Sequence, residues 1–255
     1  MMDCIVHRGP DDSGHWVDRE AGIAIGFRRL SIIDLSPLGH QPMLSESGRF
    51  VISFNGEIYN YAELRREFEG RGHRFRGGSD TEVILASFEA WGIEAAVKRF
   101  VGMFAMAVWD RECREVTLIR DRLGKKPMFV YAEPGYIAWG SELKALASGP
   151  VFDRTIDREA VVEYLRYLYV PAPRSIYAKV RKLEPGALLT IRDPDQPLPP
   201  SRRYWTLDEA AAAGLADPFR GSDEEAVEAL DRLLTDAVKV RMYADVPVGA
   251  LLSGG

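Results

Sequence analysis

The 255 residues are 46% hydrophobic and 28% charged, a balance that excludes a disordered chain and suffices for one large core or two domains. A net charge of −5 argues against a general affinity for nucleic acid or anionic membrane. No apolar run approaches the ~20 residues of a bilayer span, Met1-Met2-Asp3 begins no signal peptide, and Cys4 and Cys113 make no disulfide framework, so a cytoplasmic protein is expected.

His7-Arg8-Gly9-Pro10-Asp11-Asp12 reads as a rigid polar turn, and Gly22 to Phe27 as a strand ending at the cation pair Arg28-Arg29. Phe50 to Phe54 predicts a second strand. A helix is expected after Asn60, with Leu64 and Phe68 one turn apart. The next helix starts at Ser79, with Glu82 at the capping-box position and Val83, Ile84, Phe88 and Trp91 on its apolar face. Met103 to Trp109 is apolar throughout, as a buried strand is, and the polar Asp110 to Arg114 joins it to Val116–Ile119 as a hairpin. Pro127 to Tyr131 and Tyr136 to Trp139 predict two short strands, and about Asp157 to Tyr169 a helix that stops before Pro171-Ala172-Pro173.

Composition then shifts. The proline-rich stretch from Asp193 to Pro200 cannot hold a central strand or helix. Ser222, with Glu225 three residues on, caps a new helix whose face is Ala226, Val227, Leu230, Leu233, Leu234, Ala237 and Val238. A domain boundary is expected between about Pro194 and Ser222. Leu251-Leu252-Ser253-Gly254-Gly255 reads as an apolar strand entering the first half of a phosphate-binding loop.

Several stretches could carry chemistry. Asn55-Gly56 after a strand is the favoured pair for a type I′ hairpin turn; alternatively the Asn amide and the unshielded Gly N–H form an oxyanion hole, with the Glu57 carboxylate suited to an ammonium group. Asp80 in the first turn of its helix is explained by the helix dipole or by a ligand cation. Arg29 is a solvated surface charge or a carboxylate clamp. His7 has no second histidine at ligand spacing, so no metal site is expected, and Cys4 reads as structural unless something activates it.

Taken together, these stretches resemble the glutamine-hydrolysing asparagine synthetases, whose N-terminal half is an N-terminal-nucleophile glutaminase. The resemblance is carried in collinear order by His7 to Asp11, Arg29-Leu30-Ser31-Ile32, Phe54 to Asn60, Ser79 to Glu82, Gly102 to Ala105, Arg120 to Gly124, Ser141 to Ala145, Tyr204-Trp205 and Val246 to Gly255. It implies an α+β, four-layer αββα glutaminase domain over residues 1–205. A linker at 206–221 and, over 222–255, the first helix and strand of an α/β ATP-pyrophosphatase synthetase domain would follow. It further implies that Arg29 grips the glutamine α-carboxylate, that Leu30 and Ile32 line the pocket, and that Asp80 and Glu57 hold the α-ammonium. Asn55 and the Gly56 N–H would stabilise the tetrahedral oxyanion, and Leu252, Ser253, Gly254 and Gly255 would begin the ATP loop.

Two departures from the family pattern shape the expectation. The family's nucleophile is an N-terminal cysteine lying upstream of the His-Arg-Gly-Pro run by a strand and a helix, roughly two dozen residues. Only six residues precede His7 here, so Cys4 is misplaced and the nucleophile is expected to be absent. The ATP loop continues in the family with a variable residue and Asp-Ser, which do not follow Gly255. The resemblance therefore implies part of an enzyme that uses glutamine, aspartate, ATP and Mg2+ and could form a homodimer, with the 255 residues inactive alone and binding ATP poorly. The alternatives are a non-catalytic glutamine-binding module and an amidotransferase for another carboxylate acceptor. A marginally stable chain, with the segment after Ser222 poorly docked, is also expected.

Overall fold

A computed structural model describes residues 1–251. The chain begins with a 3-10 helix at Met2–Arg8, which takes in the first two residues of the expected His7 to Asp12 turn, and Gly9 to Asp11 join it to the first strand. An antiparallel pair, β1 (Asp12–Asp18) and β2 (Ile23–Arg29), follows it. β3 (Met43–Leu44) and β4 (Phe50–Ile58) lead into three helices, α1 (Tyr61–Gly70), α2 (Asp80–Trp91) and α3 (Ile93–Arg99). Then come the hairpin β5 (Gly102–Asp110) and β6 (Glu115–Arg120), strands β7 (Phe129–Glu133) and β8 (Tyr136–Gly140), and helices α4 (Leu143–Ala147) and α5 (Arg158–Tyr167). β9 (Val180–Lys182), β10 (Ala187–Ile191) and β11 (Arg202–Arg203) complete the sheets before α6 (Leu207–Ala216) and α7 (Asp223–Lys239).

The strands make a six-stranded sheet in the order β11-β10-β6-β5-β4-β3, a three-stranded sheet β8-β7-β9 and the pair β1-β2. Alternation along β4 builds the layers. Phe50, Ile52, Phe54 and Ile58 pack with Val83, Ile84 and Phe88 of α2 and with Phe100 in a core on the helix side. Val51, on the other face, joins Ala105, Ala107 and Trp109, and these meet Ile23 and Ile25 of β2 and Val130 of β7. Tyr131 and Val180 then pack on Leu146 of α4. The succession helices, sheet, sheet, helix follows the expected αββα order, but the second sheet layer is split. β2 and β8 end their sheets unpaired on one side, and both line a cavity of about 530 Å³ between them.

Two local expectations are corrected. β4 does not stop at Phe54: Asn55, Gly56 and Glu57 continue it opposite Ala105, Phe104 and Met103, so Asn55-Gly56 is not a hairpin turn. Ser79 caps α2 by accepting the Glu82 N–H at 3.4 Å, but the Glu82 carboxylate turns away to the N–H groups of Arg76 and Gly77. The full capping box forms instead at Ser222 and Glu225 on α7. Stretch 206–221 contains the exposed helix α6, and α7 buries none of its residues; Leu230 and Leu233 are 57% and 68% exposed. The loop residues Leu252, Ser253, Gly254 and Gly255 lie outside the described residues.

Candidate functional site

The edge of β4 beyond its short pairing with β3 organises the site. Tyr59 donates its N–H to Val101 on the β5 side, and Phe104 exchanges bonds with Asp121 on the β6 side, so the even-numbered residues of β4 turn their N–H groups to the outer edge. Three such donors stand in a row. The Phe54 N–H goes to Gln41 Oε1 at 2.7 Å and the Ile58 N–H to Asp80 Oδ2 at 3.0 Å. Between them, the Gly56 N–H meets no acceptor among the described residues. Residue 56 cannot carry a side chain, because a Cβ would fall 2.1 Å from the Met103 carbonyl oxygen. The neighbouring Asn55 side chain lies on the cavity wall and donates from Nδ2 to Ser141 Oγ at 3.3 Å.

Glu57 lies on the same face of β4 as Asn55, two residues on. Burial raises its carboxyl above the usual range, against the opposing pull of Lys126 and Arg241. Asp80, only 6% exposed at the start of α2, is pushed up to about 7 by burial, against the bond from Ile58 and with the Glu57 charge adding to the rise. Two carboxyls sharing one region, both held above their ordinary range, favour a cationic guest between them. Lys126 is half-buried beside them, and burial lowers its ammonium pKa.

Arg29 ends β2 and is 7% exposed. Its guanidinium donates to the Ser36 carbonyl at 3.0 Å, to that of Ile33 at 3.4 Å, and closely to that of Asp34. The loop holding these carbonyls is tied to the turn before α2, where the Gly78 N–H donates to Asp34 Oδ2 at 2.7 Å. Burial works against the charge on Asp34, but hydrogen bonds from Ser36 and Gly78 hold its carboxyl below the usual range. Arg29 and Asp80 therefore sit at opposite ends of one bonded loop system. Leu30 and Ile32, 56% and 37% exposed, flank it at the surface.

The expected residues thus fall into two groups. Arg29, Asp80 and the Leu30–Ile32 loop are linked through Asp34 and Gly78; Asn55, Gly56 and Glu57 are consecutive on β4, joined to the first group by the Asp80–Ile58 bond. Gln41, Lys126 and Asp34 were not singled out as site residues in the sequence. Gln41 braces the edge from both ends of its amide, taking the Phe54 N–H and donating to Thr81 Oγ1 at 3.3 Å. Only their spatial neighbours mark them. The Arg120 to Gly124 stretch is explained as framework: Asp121 accepts the N–H groups of Phe104, Leu123, Lys125 and Lys126. Among the described residues no cluster of three or more His, Cys, Asp or Glu could hold a metal ion, and no helix is long and apolar enough to cross a membrane.

The chain is similar to known proteins in the same terms. It is 40% identical to asparagine synthetase [glutamine-hydrolyzing] 1 of Bacillus subtilis, over 100% of this chain and 38% of that protein. It is 34% identical to asparagine synthetase [glutamine-hydrolyzing] 3 of the same organism, over 100% of this chain and 40% of that protein. Amidase chry2 of Gibberella zeae is also 34% identical, over 100% of this chain and 36% of that protein. The chain therefore spans about two fifths of the length of these relatives. Among solved structures, glutamine phosphoribosylpyrophosphate amidotransferase from B. subtilis shares the fold over 71% of this chain and 35% of that one, with a TM-score of 0.51 at 22% identity. Residues 229–255 match the asparagine synthase family. Residues 1–205, which contain the whole of the β4 edge, Arg29 and Asp80, match the glutamine amidotransferase domain, and the chain belongs to that family.

Proposed function

We propose that this chain is the glutamine-binding portion of a glutamine-dependent asparagine synthetase. The complete enzyme would hydrolyse glutamine and pass ammonia to ATP-activated aspartate, giving asparagine, AMP and pyrophosphate. The observation that carries the reading is the β4 edge: a Gly56 N–H without an acceptor beside the Asn55 amide, between two raised carboxyls and a buried arginine.

A free amino acid has one anionic and one cationic group, and opposite protein charges fix which end meets the nucleophile. Arg29 would take the glutamine α-carboxylate with the part of its five-donor fork that the loop carbonyls leave open. Asp80 and Glu57 would take the α-ammonium, and Leu30 and Ile32 would wall the stem. The amide carbon would then lie by Asn55 Nδ2 and the Gly56 N–H, which gain strength as the carbonyl oxygen becomes an oxyanion. Loss of one such donor typically costs about 3 kcal/mol of transition-state stabilisation.

The attacking thiolate is assigned to a further strand rather than to Cys4, which lies in the Met2–Arg8 helix. A strand between β2 and β8 would pair both free edges, merge the split layer into one sheet, and run past Asn55 on the cavity wall. The 255 residues alone are accordingly expected to bind glutamine without hydrolysing it. ATP and Mg2+ would belong to the synthetase half of the complete enzyme. In a second reading another carboxylate replaces aspartate as the acceptor; one relative, Amidase chry2 of Gibberella zeae, carries a name other than asparagine synthetase.

Calorimetry tests the pocket. Glutamine heat that is present for the 255-residue chain and lost in Arg29→Ala is expected, whereas no heat at millimolar glutamine would overturn the reading. Glutamine hydrolysis by the chain, abolished by Asn55→Ala, would overturn its assigned inactivity.

A further inference from the structure

The segment after α7 is largely exposed, as that helix is, yet it makes specific contacts. Arg241, Tyr243 and Asp245 touch the amidotransferase domain. The Arg241 guanidinium lies 4.6 Å from the Tyr59 ring centre, and the Tyr243 ring meets Tyr61 edge-on at 5.7 Å. Asp245 makes two polar bonds to one loop: its N–H donates to the Ile32 carbonyl at 2.9 Å, and its carboxylate accepts the Asp34 N–H at 2.8 Å. Poor docking was expected of the whole region after Ser222; α7 buries none of its residues, but residues 241–245 form a strap.

The loop it grips matters because of what else the loop does. Asp34 has φ 55°, in the left-handed region that non-glycine residues rarely occupy. Four residues hold it there: Gly78 and Ser36 on its carboxylate, Arg29 on its carbonyl, and Asp245 on its N–H. The first three belong to the amidotransferase domain, while Asp245 comes from the region that matches asparagine synthase. The Asp34 and Ile33 carbonyls in turn orient the Arg29 guanidinium.

We propose that Asp245 is a positioning residue for the glutamine site. It fixes the 32–34 loop and thereby the Arg29 guanidinium, so that docking of the synthetase-side strap raises glutamine affinity. The proposal rests on the glutamine reading above. It makes the carboxylate clamp depend on a residue more than 200 positions away in the chain. By linkage, glutamine in turn strengthens the docking of the strap.

The test measures glutamine affinity by calorimetry, and amide hydrogen exchange over residues 31–36, in the 255-residue chain and in Asp245→Ala, Asp245→Asn and Arg29→Ala. A hydrogen bond to a charged acceptor corresponds to about tenfold in affinity. Asp245→Ala is expected to weaken glutamine binding about tenfold and to speed exchange at the Asp34 amide. Asp245→Asn, which keeps an acceptor oxygen, should recover most of both, and a merely misfolded chain would show no such rescue. If wild type binds, Arg29→Ala does not and Asp245→Ala binds as wild type, the proposal is overturned and the glutamine reading stands. If wild type does not bind at all, both fall. Unchanged Asp34 exchange in Asp245→Ala overturns the clamp in either case.

Discussion

Asp80 carries two opposed pH dependences. Its carboxyl rises from 3.8 to about 7 because burial penalises the charge, against the Ile58 N–H bond and with Glu57 adding to the rise. Between those values the folded chain holds a proton that the unfolded chain has released, so this group's contribution to stability falls as pH rises from about 4 to 7 and is flat above. Asp80→Asn keeps an oxygen for the Ile58 N–H and cannot ionise. It is therefore expected to be more stable than wild type at pH 8 by urea denaturation and equal to it near pH 4. Glutamine affinity runs the other way, since an ammonium needs the carboxylate: it should weaken by up to tenfold per pH unit below about 7 and lose that dependence in Asp80→Asn. Equal affinity at pH 6 and pH 8 in wild type would remove Asp80 from the ammonium site. In the sequence alone, Asp80 could be a residue favouring the helix dipole. What distinguishes it is its burial and its bond to β4, and both come from the packing of α2 on the sheet.

At the scale of elements, α2 and α7 show how far pattern reaches. Both have a serine cap and an apolar stripe, and both form helices. On α2 the stripe is buried, with Val83 and Ile84 at 0% exposure, whereas on α7 Val227 and Leu233 are each 68% exposed. Ile84→Ala is accordingly expected to cost about 2–5 kcal/mol and Leu233→Ala less than about 0.5 kcal/mol, read as shifts in denaturant midpoint. A loss above 1 kcal/mol in Leu233→Ala would mean that α7 packs on the core. β4 gives the opposite lesson. Asn55-Gly56 is a strong local turn signal, yet pairing with Ala105 and Phe104 extends the strand through it. Local turn preference is small beside a continuous ladder of backbone bonds, and the glycine is needed for close approach to Met103 rather than for turning. The β10 and β11 pairings were not legible, because strands of five and two residues leave little periodicity to read.

Among the sheet edges of the described residues, those of β2 and β8 stand open toward one cavity. β2 and β8 face a cavity of about 530 Å³, with the Met2–Arg8 helix reaching across it: its Arg8 meets Glu142 at 3.2 Å and its Met2 lies over Gly26. Apolar residues stay exposed on α5 and α7, among them Leu165 at 73%. Open edges and apolar patches promote association. A melting midpoint below about 60 °C is expected by calorimetry, with light scattering that grows with protein concentration. A sharp, concentration-independent transition above that temperature would show the open layer to be self-sufficient. Helices α1, α2, α5 and α7 and the β5–β6 hairpin were legible in the sequence, because caps and apolar periodicity are local signals, and collinear motifs nominated the residues proposed for the site. Tertiary structure alone decided that β4 runs on through Glu57, that the Gly56 N–H meets no acceptor among the described residues, and that Asp245 grips the loop beneath Arg29. These depend on pairing register and on contacts across more than 200 residues of chain, and no local window contains the partner that completes them.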